Sequence, residues 1–159
     1  MTMWLGPTII MIASTLPSFA PVVEALLRLM VGVALVPHGL RMTFGLFAHS
    51  GLKVRNLTQL AAQLDGDGYR PGRLWAPLIS LTELVAGPLL ALGLFTRLAA
   101  VPIVIFLTVS CWERWHKGGW FWNQQGLEYT LMWTIAAAYF LARGGGLYSL
   151  DYWLFGWAS

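Results

Sequence analysis

The chain has 159 residues, of which 57% are hydrophobic and 11% are charged, and its formal net charge is +3. Soluble domains carry about 25% charged residues, so this chain has too few polar side chains to cover a water-facing surface. Its long apolar stretches indicate a single-domain, polytopic membrane protein, and it has no basic cluster or motif that favours nucleic-acid binding.

The first 21 residues are apolar, but they lack the basic start of a secretory signal peptide. Pro7, Pro17 and Pro21 interrupt them. We interpret residues 1–21 as an interfacial or partner-contacting arm, with a short additional membrane helix as the alternative. Residues 22–159 then form a single four-span membrane domain.

Four segments are long and apolar enough to cross a bilayer, which requires about 20 residues of helix. They cover residues 22–44, 74–95, 98–115 and 127–142. Pro88 is expected to bend the second span, because proline lacks the N–H that an α-helix needs. The predicted fold is therefore an all-α, integral membrane four-helix bundle.

The first loop is predicted to contain a short amphipathic helix. Leu57, Leu60, Ala61 and Leu64 recur at helical spacing after Asn56. A helix of this kind lies on the membrane surface with its apolar side toward the lipid.

The basic residues are unevenly divided between the two ends of the predicted bundle. An even number of spans places both termini on one side, where Arg97 and Arg143 lie outside the membrane. By the positive-inside rule, loops 45–73 and 116–126 face the cytoplasm and the termini face outward. The basic residues on the loop side are Arg41, Lys53, Arg55, Arg70, Arg73, Arg114 and Lys117.

The stretch CWERWHKGGWFWNQQG, residues 111–126, concentrates aromatic and polar side chains. Its tryptophans flank the end of the third span and the start of the fourth, which favours an aromatic belt at the headgroup level. The alternative is a pocket wall for a flat hydrophobic ligand such as a quinone headgroup. The residues of this second interpretation are Trp112, Trp115, Trp120, Trp122 and Asn123.

Arg28 and Glu83 lie well inside predicted spans, where a charged residue costs about 2.5–3.5 kcal/mol at mid-helix. Counted from the terminal side at 1.5 Å per residue, Arg28 lies at a depth of about 9 Å and Glu83 at about 16 Å. An extended arginine side chain is long enough to bridge this difference in depth. We therefore predict a structural ion pair between them, with a proton or substrate relay as the alternative.

Three polar residues from different spans are predicted to converge near the loop side: His38, His116 and Glu128. Two histidines and a carboxylate can ligate a transition metal, and two histidines can ligate a haem. A histidine beside a glutamate can exchange protons with a quinone carbonyl. Purely structural hydrogen bonding is the remaining interpretation. Among ligands we favour a quinone, because no firm evidence in the sequence supports haem or metal.

Five short motifs occur in order along the chain. They are LLRLMVG and HGLRMTFG in the first span, Glu83 followed by GLFTRLAA, then Phe121, Asn123, Gly126, Glu128 and Tyr129, and finally SLD at 149–151. Over about residues 24–151 the chain resembles the DoxX family of small bacterial membrane proteins. The resemblance implies a four-helix fold in the bacterial cytoplasmic membrane. In some relatives it implies quinone-linked oxidation of sulfur compounds or membership of membrane oxidoreductase complexes.

The leading hypothesis is a membrane subunit of a quinone-linked oxidoreductase assembly, with membrane lipids and other subunits as partners. Cys111 is the single cysteine, so the chain has no dithiol with which to move electrons by itself. His38, His116 and Glu128 would handle protons, and whether the chain is itself an enzyme stays open. The alternatives are a non-catalytic scaffold or accessory subunit, and a transporter for a small molecule or metal ion.

Overall fold

The computed structural model describes residues 5–47 and 54–157, with side chains from residue 19 onward, and these residues are helical without strands. This part of the chain forms six helices. They are α1 (Leu5–Phe44), α2 (Leu57–Gly66), α3 (Gly72–Leu92), α4 (Thr96–Gly118), α5 (Glu128–Arg143) and α6 (Leu150–Phe155), with a 3-10 turn at Trp122–Gln124.

Three helices are long and apolar enough to cross a membrane: Phe19–Phe44, Gly72–Leu92 and Thr96–Gly118. The all-α class and the first three predicted spans are therefore confirmed, with ends shifted by a few residues. The fourth predicted span corresponds to α5, which has 16 residues and is not among these three candidates, so the predicted four-span bundle is not confirmed. Of the basic residues used to predict topology, Lys53 lies outside the described residues.

Helix α1 begins at Leu5 rather than at Val22, so residues 5–21 of the predicted arm continue the first helix. Its 40 residues extend for about 60 Å, twice the hydrocarbon thickness of a bilayer. Prolines do not end the helix here, as is common in apolar helices whose freed backbone groups find other partners. The sequence-based prediction therefore overestimated how strongly these prolines interrupt the helix.

Helix α3 contains a π-helical segment, Thr82–Ala86, directly before Pro88. The N–H of Gly87 donates to the carbonyl of Thr82, five residues back. Because Pro88 has no N–H, the carbonyl of Leu84 lacks its usual α-helical donor, and the backbone adopts the wider turn. The irregularity expected from Pro88 therefore takes the form of a π-bulge. The helix ends at Leu92, because Gly93 adopts the left-handed conformation with φ 68°.

Helices α1 and α3 run antiparallel in close contact. At Gly32 an added Cβ would lie 2.4 Å from the carbonyl oxygen of Gly87. At Gly39 it would lie 2.9 Å from the Cβ of Glu83. These glycines allow the two backbones to touch, as in other membrane helix pairs. The buried core around this contact includes Val31, Leu35, Leu90, Ala100, Ile103 and Phe140.

Large apolar side chains cover the outside of the helices instead of being buried. Leu98 on α4 is 71% exposed and Met132 on α5 is 67% exposed. Isolated in water, a surface of this kind would be strongly unfavourable, whereas lipid tails solvate it. The exterior therefore agrees with a membrane-embedded protein.

The short helix predicted in the first loop is present as α2, and Asn56 caps it by accepting a hydrogen bond from the N–H of Gln59. It packs against the start of α3, where Gly72 fits directly against the carbonyl of Ala61. Residues 54–71 are called the strap below. The strap lies across the loop-side ends of α1 and α3.

Side-chain contacts also fasten the strap to α4. The Tyr69 hydroxyl donates to Glu113 Oε1 at 2.6 Å, and Lys117 Nζ lies 2.8 Å from Glu113 Oε2 and 3.5 Å from Asp67 Oδ2. The hydrogen bond to Glu113 raises the pKa of Tyr69 to about 12. The phenol is therefore neutral, and a donor, at physiological pH.

Replacing Tyr69 with phenylalanine should loosen the strap. We expect a loss of about 1 kcal/mol of stability, because Glu113 loses one donor but keeps Lys117. Protection of amides 54–71 against hydrogen exchange measures the effect. The stabilisation from Tyr69 is present below its ordinary pKa of 10.0 and is lost as the pH rises through about 12. Equal protection in the Tyr69→Phe variant would contradict the role of this contact.

Candidate functional site

The structure does not bring Arg28 and Glu83 together, although both are buried, at 3% and 1% exposure. Glu83 lies level with Gly39 on α1, while Arg28 lies beside Ala91 and Gly93 at the C-terminal end of α3. Eleven residues of α1 separate Arg28 from Gly39, which is about 16 Å. The predicted ion pair is therefore wrong, because the depths were counted from helix ends that lie elsewhere.

Arg28 instead binds backbone carbonyls at the terminal side of the bundle. Its Nε donates to Ala91 O at 3.3 Å, its Nη2 donates to Tyr148 O at 2.7 Å, and its Nη1 donates to Gly145 O. The guanidinium also interacts electrostatically with Glu24 and Asp151. Arg28 thus joins α1, α3 and the C-terminal segment.

Asp151 caps the start of α4 from the far end of the chain. Its carboxylate accepts hydrogen bonds from the N–H of Phe95 at 2.6 Å, the N–H of Thr96 at 2.8 Å and the Thr96 hydroxyl at 2.6 Å. Phe95 lies in the left-handed region with φ 48°, a strained conformation for a residue with a side chain. Asp151 therefore stabilises both the strained turn and the first turn of α4.

Glu24 completes the terminal-side cluster, one helical turn before Arg28. Its Oε1 accepts a hydrogen bond from the Tyr139 hydroxyl at 2.9 Å and lies 3.8 Å from Arg143 Nε. These contacts attach α1 to the end of α5. The terminal-side cluster is defined here as Glu24, Arg28, Thr96, Tyr139, Arg143, Ser149 and Asp151.

A cleft of about 280 Å³ opens beside this cluster, between α1 and the end of α3. Its walls are apolar, and Arg28 is the charged residue in its lining. A second cleft, of about 370 Å³, is lined in part by Arg97, Asp151 and Trp157. The residues that line the first cleft are Val22, Ala25, Leu26, Arg28, Leu29, Ala91 and Tyr148.

The loop side of the bundle contains a second buried polar group. Glu83 lies in the π-helical segment and interacts electrostatically with Arg41, which is also buried. Among the described residues, no hydrogen-bond partner reaches Glu83 Oε2. Nearby, the hydroxyls of Thr43 and Ser80 share a hydrogen bond between α1 and α3.

The three residues expected to form a loop-side cavity have separate surroundings. His38 is exposed, with Arg41 and Arg114 as its electrostatic neighbours. His116 is also exposed, and its Nδ1 lies 2.8 Å from the carbonyl of Trp112. Glu128 Oε2 accepts a 3.4 Å hydrogen bond from the N–H of Trp122. Neither of the two clefts described above includes any of the three, and their convergence into one cavity mouth stays a prediction.

The four tryptophans of the predicted ligand pocket are 49% to 68% exposed, and Asn123 is exposed as well. Trp112 packs on the His116 ring, with the ring centroids 4.3 Å apart. None of these five residues lines a described cleft. The aromatic-belt interpretation of Trp112, Trp115, Trp120 and Trp122 stays a prediction.

Sequence reasoning missed the roles of Asp151, Thr96 and Arg41. Asp151 and Thr96 were noted in the motifs SLD and GLFTRLAA, but nothing local connects residues 55 positions apart. A usable signal was the position of Thr96 directly after the second predicted span and of Asp151 in the short segment after the fourth. Within the described residues, no group of three His, Cys, Asp or Glu side chains is arranged to hold a metal ion.

The apolar exterior, the three long helices and the ionisable residues buried between them define a polytopic α-helical membrane protein. The DoxX family model matches residues 23–113, which is more than half of the chain. The chain belongs to the DoxX family. It matches no curated protein and no solved structure at a significant level.

Proposed function

We propose that this protein is a membrane subunit of a quinone-linked oxidoreductase assembly, and that the quinone binds in the lateral cleft between α1 and α3. A partner subunit delivers electrons, because this chain has a single cysteine and no cofactor motif. The DoxX family membership supports a membrane oxidoreductase setting. The proton-handling roles of His38, His116 and Glu128 stay predictions.

The cleft itself is the observation that carries the proposal. Its volume of about 280 Å³ is close to the lower limit of small-molecule pockets, about 300 Å³. Leu26 and Leu29 on its wall are exposed to the apolar exterior, from which a lipid-soluble ring can enter. Such an opening suits a hydrophobic ligand that diffuses within the bilayer.

Arg28 is the group that would orient a quinone in this cleft. A guanidinium has five N–H donors, and carbonyls of the described residues accept three of them. The remaining two can donate to a carbonyl oxygen of the ring, while the apolar walls exclude water. A quinone takes up two electrons and two protons to become a quinol. Because Arg28 is always charged, it stabilises negative charge on that oxygen but does not supply the protons.

In this proposal α5 is the fourth membrane span. Its 16 residues extend for about 24 Å, and local bilayer thinning covers the remaining few ångströms. Met132 and Ile135 point to the exterior as lipid-facing residues do. Both termini then face the outer side of the bacterial cytoplasmic membrane, and loops 45–73 and 116–126 face the cytoplasm.

Filling the cleft should remove quinone binding without unfolding the protein. Ala25 is half-buried on the cleft wall, so tryptophan at this position occupies the space of the ring. Met30→Trp is the matched control, because Met30 is 60% exposed on the same helix and does not line the cleft. We expect Ala25→Trp to lower quinone occupancy tenfold or more, about 1.4 kcal/mol of binding free energy. Quinone extracted from protein in quinone-loaded nanodiscs measures the occupancy.

Two negative outcomes have different meanings. Wild-type protein that retains no quinone would contradict the quinone-linked function. Wild-type and Ala25→Trp proteins that retain equal amounts would contradict the site, and the ligand would then lie elsewhere on the bundle.

A second candidate function is a scaffold or accessory subunit of a larger membrane complex. The observation that favours it is the length of α1, whose 40 residues extend for about 60 Å, about 30 Å more than the hydrocarbon thickness of a bilayer. A helix that projects this far is suited to contact another subunit. Removal of residues 1–18 should then release the protein from its complex but leave quinone occupancy unchanged, as size-exclusion chromatography with quinone analysis would test.

A further inference from the structure

The buried carboxylate of Glu83 has no role in the lateral cleft, which lies at the other end of the bundle. Glu83 is 1% exposed inside a candidate membrane span. Among the described residues, its Oε2 atom has no hydrogen-bond partner. Burial of an ionised carboxylate with an unsatisfied oxygen is costly, so a residue retained for stability alone would be expected to be better satisfied.

The backbone around Glu83 is also irregular. Glu83 lies in the π-helical segment Thr82–Ala86, in which the Thr82 hydroxyl donates to the carbonyl of Leu78 at 2.9 Å. π-Bulges widen a helix locally and are frequent at functional sites. The wider turn faces Gly39, whose missing side chain leaves the Cβ of Glu83 in contact with the backbone of α1.

The charged neighbours of Glu83 lie toward the loop side. Arg41 on α1 is the charged group among the described residues that acts on Glu83 electrostatically. His38 interacts electrostatically with Arg41 and with Arg114 on α4. Gly39 is five residues before the end of α1 at Phe44, so Glu83 lies about 8 Å below the loop-side end of that helix.

We propose that Glu83 is a proton-binding site inside the membrane, and that its proton exchanges with the loop side past Arg41. In the ionised state the carboxylate is balanced by the nearby guanidinium. One proton taken up from the loop side converts the carboxylate into a neutral carboxylic acid, and release of that proton restores the starting state. The site needs no cofactor and is independent of the proposed quinone site.

Infrared difference spectroscopy of the full-length protein in lipid tests this proposal. We expect a C=O stretching band of a neutral carboxylic acid at mildly acidic pH. The band should disappear on alkalinisation and shift on transfer to D2O, since the proton is exchangeable. Glu83→Gln should remove the band, and Glu83→Asp should retain a shifted band, because it keeps a carboxyl group at the same place.

Glu24→Gln is the matched control. Glu24 also lies in a membrane helix, but its carboxylate accepts a hydrogen bond from Tyr139 and lies near Arg143. This variant should therefore keep the titrating band. The proposal is overturned if wild-type protein has no pH-dependent carboxylic acid band, or if the band survives in Glu83→Gln. Thermal unfolding of each variant separates loss of the group from loss of the fold.

Discussion

Substitution of Gly32 by leucine should cause a large loss of stability, because α1 and α3 have no space for a side chain at their crossing. Even the Cβ atom would lie 2.4 Å from the carbonyl oxygen of Gly87 and 2.5 Å from the N of Ala91. Both contacts are with backbone, so no rotamer change can relieve them. We expect a cost of about 3 kcal/mol, typical of severe overpacking.

The apparent melting temperature in detergent is the measurement for Gly32→Leu. A cost of this size should lower it by roughly 10 °C for a chain of this length. Gly66→Leu is the matched control, because a Cβ added at Gly66 meets nothing within 4 Å. The control should change stability by no more than about 0.5 kcal/mol. If Gly32→Leu melted like wild type, the close crossing of α1 and α3 would be wrong.

The same variant should affect the lateral cleft. Ala91 lies both at the Gly32 contact and in the cleft lining, next to Arg28. Separation of the helices at Gly32 therefore moves the two walls of the cleft apart. Quinone occupancy is expected to fall in Gly32→Leu protein, in contrast to Gly66→Leu protein.

Substitution of Asp151 by alanine is expected to release the C-terminal segment from the bundle. Asp151 is 5% exposed, and its carboxylate accepts three hydrogen bonds at the start of α4. Without it, the N–H groups of Phe95 and Thr96 lose their acceptor and the buried Arg28 loses a nearby negative charge. Removal of one partner from a buried charged network costs about 3–5 kcal/mol.

Hydrogen exchange of residues 144–157 together with thermal unfolding measures this effect. Asp67→Ala provides the control, because Asp67 is a more exposed aspartate with one ion pair of 3.5 Å to Lys117. An exposed pair contributes about 1 kcal/mol or less, so the control should remain close to wild type. Unchanged protection of residues 144–157 in the Asp151→Ala protein would show that the cap does not hold this segment.

The two buried polar centres have different partners for a common physical reason. In a low-dielectric interior, each charge must be met by hydrogen bonds or by an opposite charge. Arg28 uses the carbonyls exposed where α3 ends and where the glycine-rich segment after α5 begins. Glu83 has no such free backbone donors within a continuous helix, which leaves Arg41 as its charged neighbour.

The placement of the helices along the chain was largely predictable from the sequence. The first three spans, α2 and the stop after Arg143 agree with the structure to within a few residues, apart from the start of α1. Hydropathy and helix-ending signals act over a few turns, so short windows of sequence contain the information. The predicted start of α1 was wrong, because prolines were expected to interrupt this helix as they do in soluble proteins.

The amino-acid sequence by itself determined that this is an all-helical membrane protein of the DoxX family, because apolar length and motif order are properties of the linear chain. Only the tertiary structure decided which ionisable groups meet. The register between α1 and α3 depends on which small residues touch, here Gly32 with Gly87. In this register Glu83 lies level with Gly39, eleven residues along α1 from Arg28, so the two charges have different partners. The cap from Asp151 to Thr96 likewise joins residues 55 positions apart, a contact that exists only once the bundle has closed.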